Sequence, residues 1–248
     1  MKNLIDLTGQ RLFVSGAGGA IGGAAARACA TLGAELVIAD LRRPEALEAE
    51  LRAEGVKVES VALDNTDRAA VDALFARLGP LDAVADCSGY YVKGDWEKGD
   101  DAWEKIFTNS MNVNVRGPLN LARACLPGMV ARGSGRMVLV GSMAARNAGS
   151  TLAVEPAYAA SKGALHTMVR YLCRQVADKG VVVNGVSPGP ILTPLLISAN
   201  QPFETDSYPM KRLGKPEEIG WPVAFLCSRA TGFMTGAVVD VNGGMVFS

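Results

Sequence analysis

Two side chains four residues apart, Tyr158 and Lys162 in the run YAASK, carry the strongest chemical signal in the chain. On a helix that spacing puts both on one face, where they can meet the same ligand. A free phenol, with an ordinary pKa of about 10, is a poor proton acceptor at neutral pH. An ammonium about 4 Å away, at an effective dielectric near 20, favours the phenolate by about 4 kcal/mol, roughly three pKa units. The pair therefore reads as an acid–base group tuned towards neutrality. Ser142 follows the apolar run MVLV and one glycine, at a point where its hydroxyl can hold a carbonyl oxygen, and Asn114 stands in MNVNVRG. Taken singly, each has a plainer reading: an exposed Tyr and Lys on an amphipathic helix, a turn serine, a capping asparagine.

The stretch SGAGGAIG, residues 15–22, directly follows another apolar run, and Asp40 closes the next one. A glycine-rich turn that opens a helix lets backbone N–H groups approach a pyrophosphate without Cβ clashes, and the helix amino end adds partial positive charge. Asp40 can accept hydrogen bonds from both hydroxyls of an adenosine ribose. A 2′-phosphate in the same place would meet a carboxylate, a repulsion of about 4 kcal/mol at 4 Å. This predicts NAD rather than NADP, with Arg42 and Arg43 as the cations that could offset the repulsion.

Positioning these residues requires alternating strands and helices. Short aliphatic runs at 12–14, 36–39, 56–63, 81–85, 137–140, 181–186 and 237–241 read as seven strands, several apolar on both faces as in a covered parallel sheet. Helical periodicity fills 21–32, 44–53, 68–78, 101–132, 158–179 and 217–228. In the fifth of these Leu165, Met168, Val169, Leu172, Cys173 and Val176 form the buried stripe, and His166 falls on another face, which assigns it a surface or subunit contact. Ser142 and the glycine loop then both follow strands, at the carboxyl edge of a doubly wound sheet. No linker or repeat divides the chain, so residues 1–248 form one domain.

Composition narrows the function classes. Among 248 residues, 49% are hydrophobic and 20% charged, which is the make-up of a packed globular protein. The 25 basic residues balance the 25 acidic ones, leaving no bulk positive field for nucleic acid or acidic lipid. The five cysteines have no metal or redox spacing and read as reduced core thiols, and no metal site is expected. Residues 1–9 lack an apolar core of secretory length, so the expected location is the cytoplasm. The uncharged stretch 180–203 carries Pro188, Pro190, Pro194 and Pro202 and reads as a strand and a loop rather than a membrane span.

Together these motifs resemble the compact, single-domain branch of the short-chain dehydrogenase/reductase family. The order is the specific part: the glycine loop, Asp40, LDN at 63–65, NVRG at 114–117, GSMA at 141–144, YAASK at 158–162, VNGVSPGPILTP at 183–194 and TGAVVDVNGG at 235–244. The resemblance implies a Rossmann fold and NAD(P)-dependent interconversion of an alcohol and a carbonyl. It makes Tyr158 the proton donor or acceptor, Ser142 the residue that orients the carbonyl, Lys162 the ligand of the nicotinamide ribose, and Asn114 the holder of a relay water. For the dinucleotide it implies Gly16, Gly19, Ile21, Gly22, Asp40, Asp64, Asn65, Cys87, Ser88, Gly89, Pro188, Gly189, Ile191 and Thr193, besides Tyr158 and Lys162. It also implies a homotetramer paired through the long helices. Three departures stand out: Ala20 replaces a family glycine, Asp86-Cys87-Ser88-Gly89 replaces the usual Asn-Asn-Ala-Gly, and extra residues at 150–156 separate Ser142 from Tyr158.

The expected function is an NAD-dependent dehydrogenase of a secondary alcohol. An NADPH-dependent ketone or 3-oxoacyl thioester reductase is the alternative, and a non-catalytic dinucleotide-binding regulator a third reading that the intact Ser142, Tyr158 and Lys162 argue against. Residues 195–211 read as a substrate lid, which with Tyr90, Tyr91, Met143 and Leu152 suggests a largely apolar pocket.

Overall fold

The computed structural model describes residues 3–92, 96–98, 101–149, 154–193 and 205–247. Seven strands form one parallel sheet: β1 (Arg11–Ser15), β2 (Glu35–Asp40), β3 (Val58–Ala62), β4 (Ala83–Asp86), β5 (Gly135–Val140), β6 (Val181–Pro188) and β7 (Val238–Val241). Their order is β3-β2-β1-β4-β5-β6-β7. The chain reverses its direction of travel across the sheet between β1 and β4, and the crevice at such a switch point is where ligands bind doubly wound folds.

Helices cover both faces because the strands alternate. Leu12 and Val14 of β1 enter one core with Ala25 and Cys29 of α1 (Ala20–Thr31) and with Ile219 and Val223 of α8 (Pro216–Cys227). Phe13 enters the other, with Phe75 of α3 (Arg68–Leu78), Leu121 and Met129 of α5 (Gly117–Arg132), and Leu165 and Val169 of α7 (Pro156–Val176). The small side chains of α1 let α8 approach closely: a methyl on Gly220 would lie 2.6 Å from the Ala24 carbonyl. Between β2 and β3 lies α2 (Glu45–Ala53).

The segment 101–132 is helical throughout, as expected, but α4 (Asp101–Met111) passes into α5 through a π-helical turn, Asn112–Arg116. Such a turn carries an extra residue and re-aims the side chains that follow, a feature frequent at functional sites. It seats Asn114, 1% exposed, inside the fold. A short helix α6 (Ala144–Asn147), unforeseen in the sequence, follows Ser142.

His166 is not a surface residue; it is 3% exposed and packs against Gly141. Cys29, Cys125, Cys173 and Cys227 are buried free thiols and Cys87 is partly exposed. Among the described residues no helix is long and apolar enough to cross a membrane, and no cluster of ligating side chains suits a metal ion. Most of the expected lid, residues 195–204, and Leu152 with most of the extra 150–156 segment lie outside the described residues. Of the lid's remainder, Thr205–Ser207 is a 3-10 turn and Tyr208 is buried.

Candidate active site

The site is assembled from the carboxyl ends of β1, β4, β5 and β6 and from one face of α7. The loops that follow these strands supply the polar residues, and they stay tied to the strand ends, as where the Cys87 N–H donates to the Ser15 carbonyl and the Met143 N–H to the Pro188 carbonyl. Gly16 turns directly after β1 with φ of +69°, and a Cβ there would lie 2.7 Å from the Cys87 carbonyl, so the glycine loop rests on the segment after β4. Gly22, in the first turn of α1, is held closer still: its Cβ would stand 2.1 Å from the Gly16 oxygen. Only glycine meets that approach.

Gly19 caps α1 without a side chain, and no acidic residue stands in the first turn, so the helix amino end offers its N–H groups to an anion. Ala20 is the first residue of α1, and the turn closes around it through the Gly19 N–H to the Gly16 carbonyl at 3.0 Å. Ile21, half-buried, packs against the core beneath α1. Asp40 accepts the Gly18 N–H at 2.9 Å and the Leu41 N–H at 2.7 Å, which fixes its carboxylate at the mouth of the loop.

The departure at Asp86 has a structural reason. This carboxylate is 2% exposed, and its Oδ1 accepts from the Ser15 hydroxyl at 2.5 Å, the Ser88 N–H at 3.0 Å and the Ser88 hydroxyl at 2.6 Å. One acceptor thus ties the end of β1 to the turn after β4. Asn65 joins the same turn, its Nδ2 donating to Ser88 Oγ at 3.4 Å, and its Oδ1 is buried with no partner among the described residues. Asp64 is exposed and accepts from the Thr66 N–H and hydroxyl.

Asn114 works as a clamp. Its Oδ1 accepts the Tyr90 N–H at 2.8 Å while its Nδ2 donates to the Tyr90 carbonyl and to Ser161 Oγ. Ser161 Oγ in turn donates to the Tyr158 carbonyl at 2.7 Å. The π turn, the loop after β4 and the first turn of α7 are locked together by this one side chain. A methyl on Gly89 would sit 3.6 Å from Lys162 Nζ and 3.8 Å from Asn114 Oδ1, so Gly89 lies against both.

Tyr158 and Lys162 do share a face of α7. Lys162 Nζ lies 5.9 Å from the Tyr158 ring centre and donates to the Val140 carbonyl at 3.0 Å. Burial lowers the Lys162 pKa to about 8, against the opposing pull of Asp86. The expected lowering at Tyr158 is absent: burial pushes its phenol up, the hydrogen bond with Ser142 acts the other way, and Tyr91, edge-on with ring centres 5.1 Å apart, adds to the rise. The reason is geometric, because the ammonium is directed at the Val140 oxygen. Ser142 Oγ, besides meeting Tyr158, accepts the Ala144 N–H at 3.1 Å, which opens α6.

On the far side, Pro188 ends β6, Gly189 donates to the Val241 carbonyl, and Ile191 is buried and bridges to Gly214. Thr193 is the last described residue before the gap. Gly189 and Ile191 border a cavity of about 460 Å³ that Tyr208, Arg212 and Asn242 also line. Sequence reasoning missed Glu155: its carboxylate caps α7 by accepting the Tyr158 N–H at 2.9 Å. The Pro156 that follows is the usual first residue of a helix and was the available signal.

Comparison with known proteins decides the family. A family model described as enoyl-(acyl carrier protein) reductase matches residues 16–246. The chain belongs to the short-chain dehydrogenase/reductase family. Its sequence is 35% identical to galactitol 2-dehydrogenase (L-tagatose-forming) of Cereibacter sphaeroides, over 98% of this chain and 97% of that one. It is 34% identical to the 2-keto-3-deoxy-L-fuconate dehydrogenase of Xanthomonas campestris pv. campestris, over 96% and 80% of the two chains. A solved structure of a gluconate 5-dehydrogenase-like protein from Beutenbergia cavernae, with NADP bound at low occupancy, superposes with a TM-score of 0.90 at 28% identity, covering 98% of each chain. This member of the family has the seven-stranded parallel sheet expected of it, with helices on both faces.

Proposed function

We propose that the protein oxidises a secondary alcohol to a ketone with NAD, Tyr158 accepting the hydroxyl proton while Ser142 holds the same oxygen. Family membership makes it an oxidoreductase acting on CH–OH groups with a nicotinamide dinucleotide. The carrying observation is the convergence of Tyr158, Ser142 and a buried Lys162 beside a glycine loop that any larger side chain would block. The residues fit a dinucleotide: the loop and uncapped α1 suit a pyrophosphate, Asp40 suits a ribose, and the orphan Asn65 Oδ1 offers an acceptor near Ser88. When bound, that group supplies the hydride acceptor and, oxidised, a positive charge.

In this reading Lys162 binds the nicotinamide ribose and Asn114 holds the relay water, while the cofactor segments at 64–65, 87–89 and 188–193 line the remainder. Burial raises the Tyr158 phenol, and the hydrogen bond with Ser142 opposes that rise and favours the phenolate that takes up the hydroxyl proton. Preference for NAD is supported by Asp40 and by Arg43, whose Nε donates to Ser60 Oγ at 2.7 Å and whose guanidinium is already paired with Glu48 at 3.0 Å. The alternative, reduction of a ketone or acyl thioester with NADPH, draws support from the description of the matching family model and from the NADP of the solved relative. The protein is cytoplasmic and homotetrameric in this proposal, with exposed Phe107, Leu119 and Tyr171 on the pairing helices.

The test is NAD-dependent oxidation of galactitol and related sugar alcohols and acids, with Tyr158→Phe as control. General acid–base catalysis is worth about 10²- to 10⁴-fold, so the variant should lose at least 10²-fold in kcat. Turnover that survives the substitution overturns the role of Tyr158, and tighter binding of NADP than of NAD overturns the cofactor assignment.

A further inference from the structure

Behind Ser142 the apolar layer between α7 and the sheet turns polar. Met137 and Leu139 of β5, Val181 and Val183 of β6 and Val238 of β7 face α7 in one hydrophobic cluster. Further along each strand, at two residues past Leu139 and Val238 and four past Val183, the same face carries Gly141, Asp240 and Ser187. Ser187 and Asp240 are cross-strand partners, and Gly141 continues the β5–β6 register through its N–H to the Val186 carbonyl. His166 of α7 lies over this row: a Cβ on Gly141 would be 2.3 Å from its Nε2. The charge of Asp240 also acts on the imidazole.

Three polar atoms in this row, His166 Nε2, Ser187 Oγ and Asp240 Oδ1, are buried without a hydrogen-bond partner among the described residues. His166 and Ser187 are 3% and 0% exposed, so bulk solvent does not serve them. A buried donor or acceptor left unmet forfeits the hydration it had in water, and three such atoms in one row call for a common partner. We propose that His166, Ser187 and Asp240 together hold one internal water, and that this hydrated node positions Ser142. Water fits by chemistry: it donates to the carboxylate, accepts from the serine hydroxyl, and complements the imidazole nitrogen in either tautomer.

The link to Ser142 is Arg146. It stands on α6, four residues beyond Ser142, and its guanidinium bonds Asp240 Oδ2 at 2.5 Å and the Val238 carbonyl at 3.3 Å. The ion pair has both side chains 17% exposed. The α6 turn, whose first N–H is taken by Ser142 Oγ, is therefore tied to β7 through the carboxylate that the water also engages. The positioning role rests on the reading that Ser142 and Tyr158 act on one substrate oxygen.

The chain has one histidine, so ¹⁵N-histidine labelling of the full-length protein gives a single imidazole to follow. A crystal structure that resolves waters should show one within about 3.2 Å of all three atoms. Ser187→Ala, which removes one ligand and hardly changes volume, should shift the Nε2 resonance. The same variant should raise the ionisation midpoint of Tyr158, read as tyrosinate absorbance minus that of Tyr158→Phe, by about half a pH unit. His166→Gln should shift it less than His166→Leu. A row without a water, or an Nε2 resonance indifferent to Ser187→Ala, overturns the node. A water with no shift at Tyr158 overturns the positioning role. None of these readouts needs turnover, so they stand apart from the outcome with Tyr158→Phe.

Discussion

Acid should weaken this protein in measurable part through His166. Burial holds the His166 pKa at about 4, against an ordinary 6.5, helped by Arg146, Arg170 and Lys162 and opposed by Asp240. Between those two values the unfolded chain binds a proton that the folded chain refuses, so stability is full above pH 6.5 and falls as pH drops towards 4. Each unit of pKa difference is worth about 1.36 kcal/mol, which sets a ceiling of about 3 kcal/mol. Integrating between the two titrations gives a loss of about 1.4 kcal/mol at pH 5.5 and about 2.5 kcal/mol at pH 4.5. Against a total of 5–15 kcal/mol for a typical domain, the second figure is a large share. The assay is urea unfolding at pH 7.0, 5.5 and 4.5 for the native chain and for His166→Gln. Carboxylates titrate in both, so the difference isolates the imidazole. Parallel pH dependences in the two proteins would refute the reasoning, as would an NMR titration of this histidine with a midpoint near 6.5.

Two further outcomes follow from the dinucleotide cradle. Gly22→Ala places a methyl 2.1 Å from the Gly16 oxygen, so the loop must shift; calorimetry should show NAD affinity falling by about 10²-fold, equivalent to about 3 kcal/mol, and the melting temperature should fall as well, because the atoms the methyl meets are backbone. Asp40→Ser removes the charge that faces a 2′-phosphate, and binding titrations should show NADP gaining on NAD by about tenfold or more, while an unchanged ratio would mean that Asp40 does not select the cofactor.

The sheet was legible because a covered parallel strand leaves an unbroken apolar run, and all seven runs fall on strands. The helix at 101–132 was legible but its π turn was not, because such a turn adds one residue without breaking the apolar pattern, so periodicity passes across Asn112–Arg116 unmarked. His166 was assigned outwards because helical phase places it off the main stripe; α7 is buried on a wider arc than that stripe, since Gly141 yields the space that the imidazole fills. Spacing brought Tyr158 and Lys162 to one face, yet it carries no information on where an ammonium points. The Val140 carbonyl at the end of β5 decides that, and it is a backbone atom with no sequence signature.

Asp86 shows how such a site stays charged. An ammonium taken out of water loses hydration, and at Lys162 that loss outweighs every attraction, leaving a pKa near 8 instead of 10.5. The Asp86 carboxylate is the largest opposing influence. Asp86→Asn keeps the size and one acceptor oxygen but withdraws the charge, so the Lys162 pKa should fall below 8. The folded chain then pays more to keep Lys162 protonated at neutral pH: the variant should be less stable than the native chain at pH 7, and the gap should close as pH rises through the native folded value of about 8, since the unfolded lysine is common to both. NAD affinity, which uses the ammonium in the proposed reading, should decline with rising pH at a lower midpoint in the variant. Equal midpoints in the two proteins would mean that Lys162 keeps its proton by the Val140 hydrogen bond alone, and that the carboxylate serves only Ser15 and Ser88.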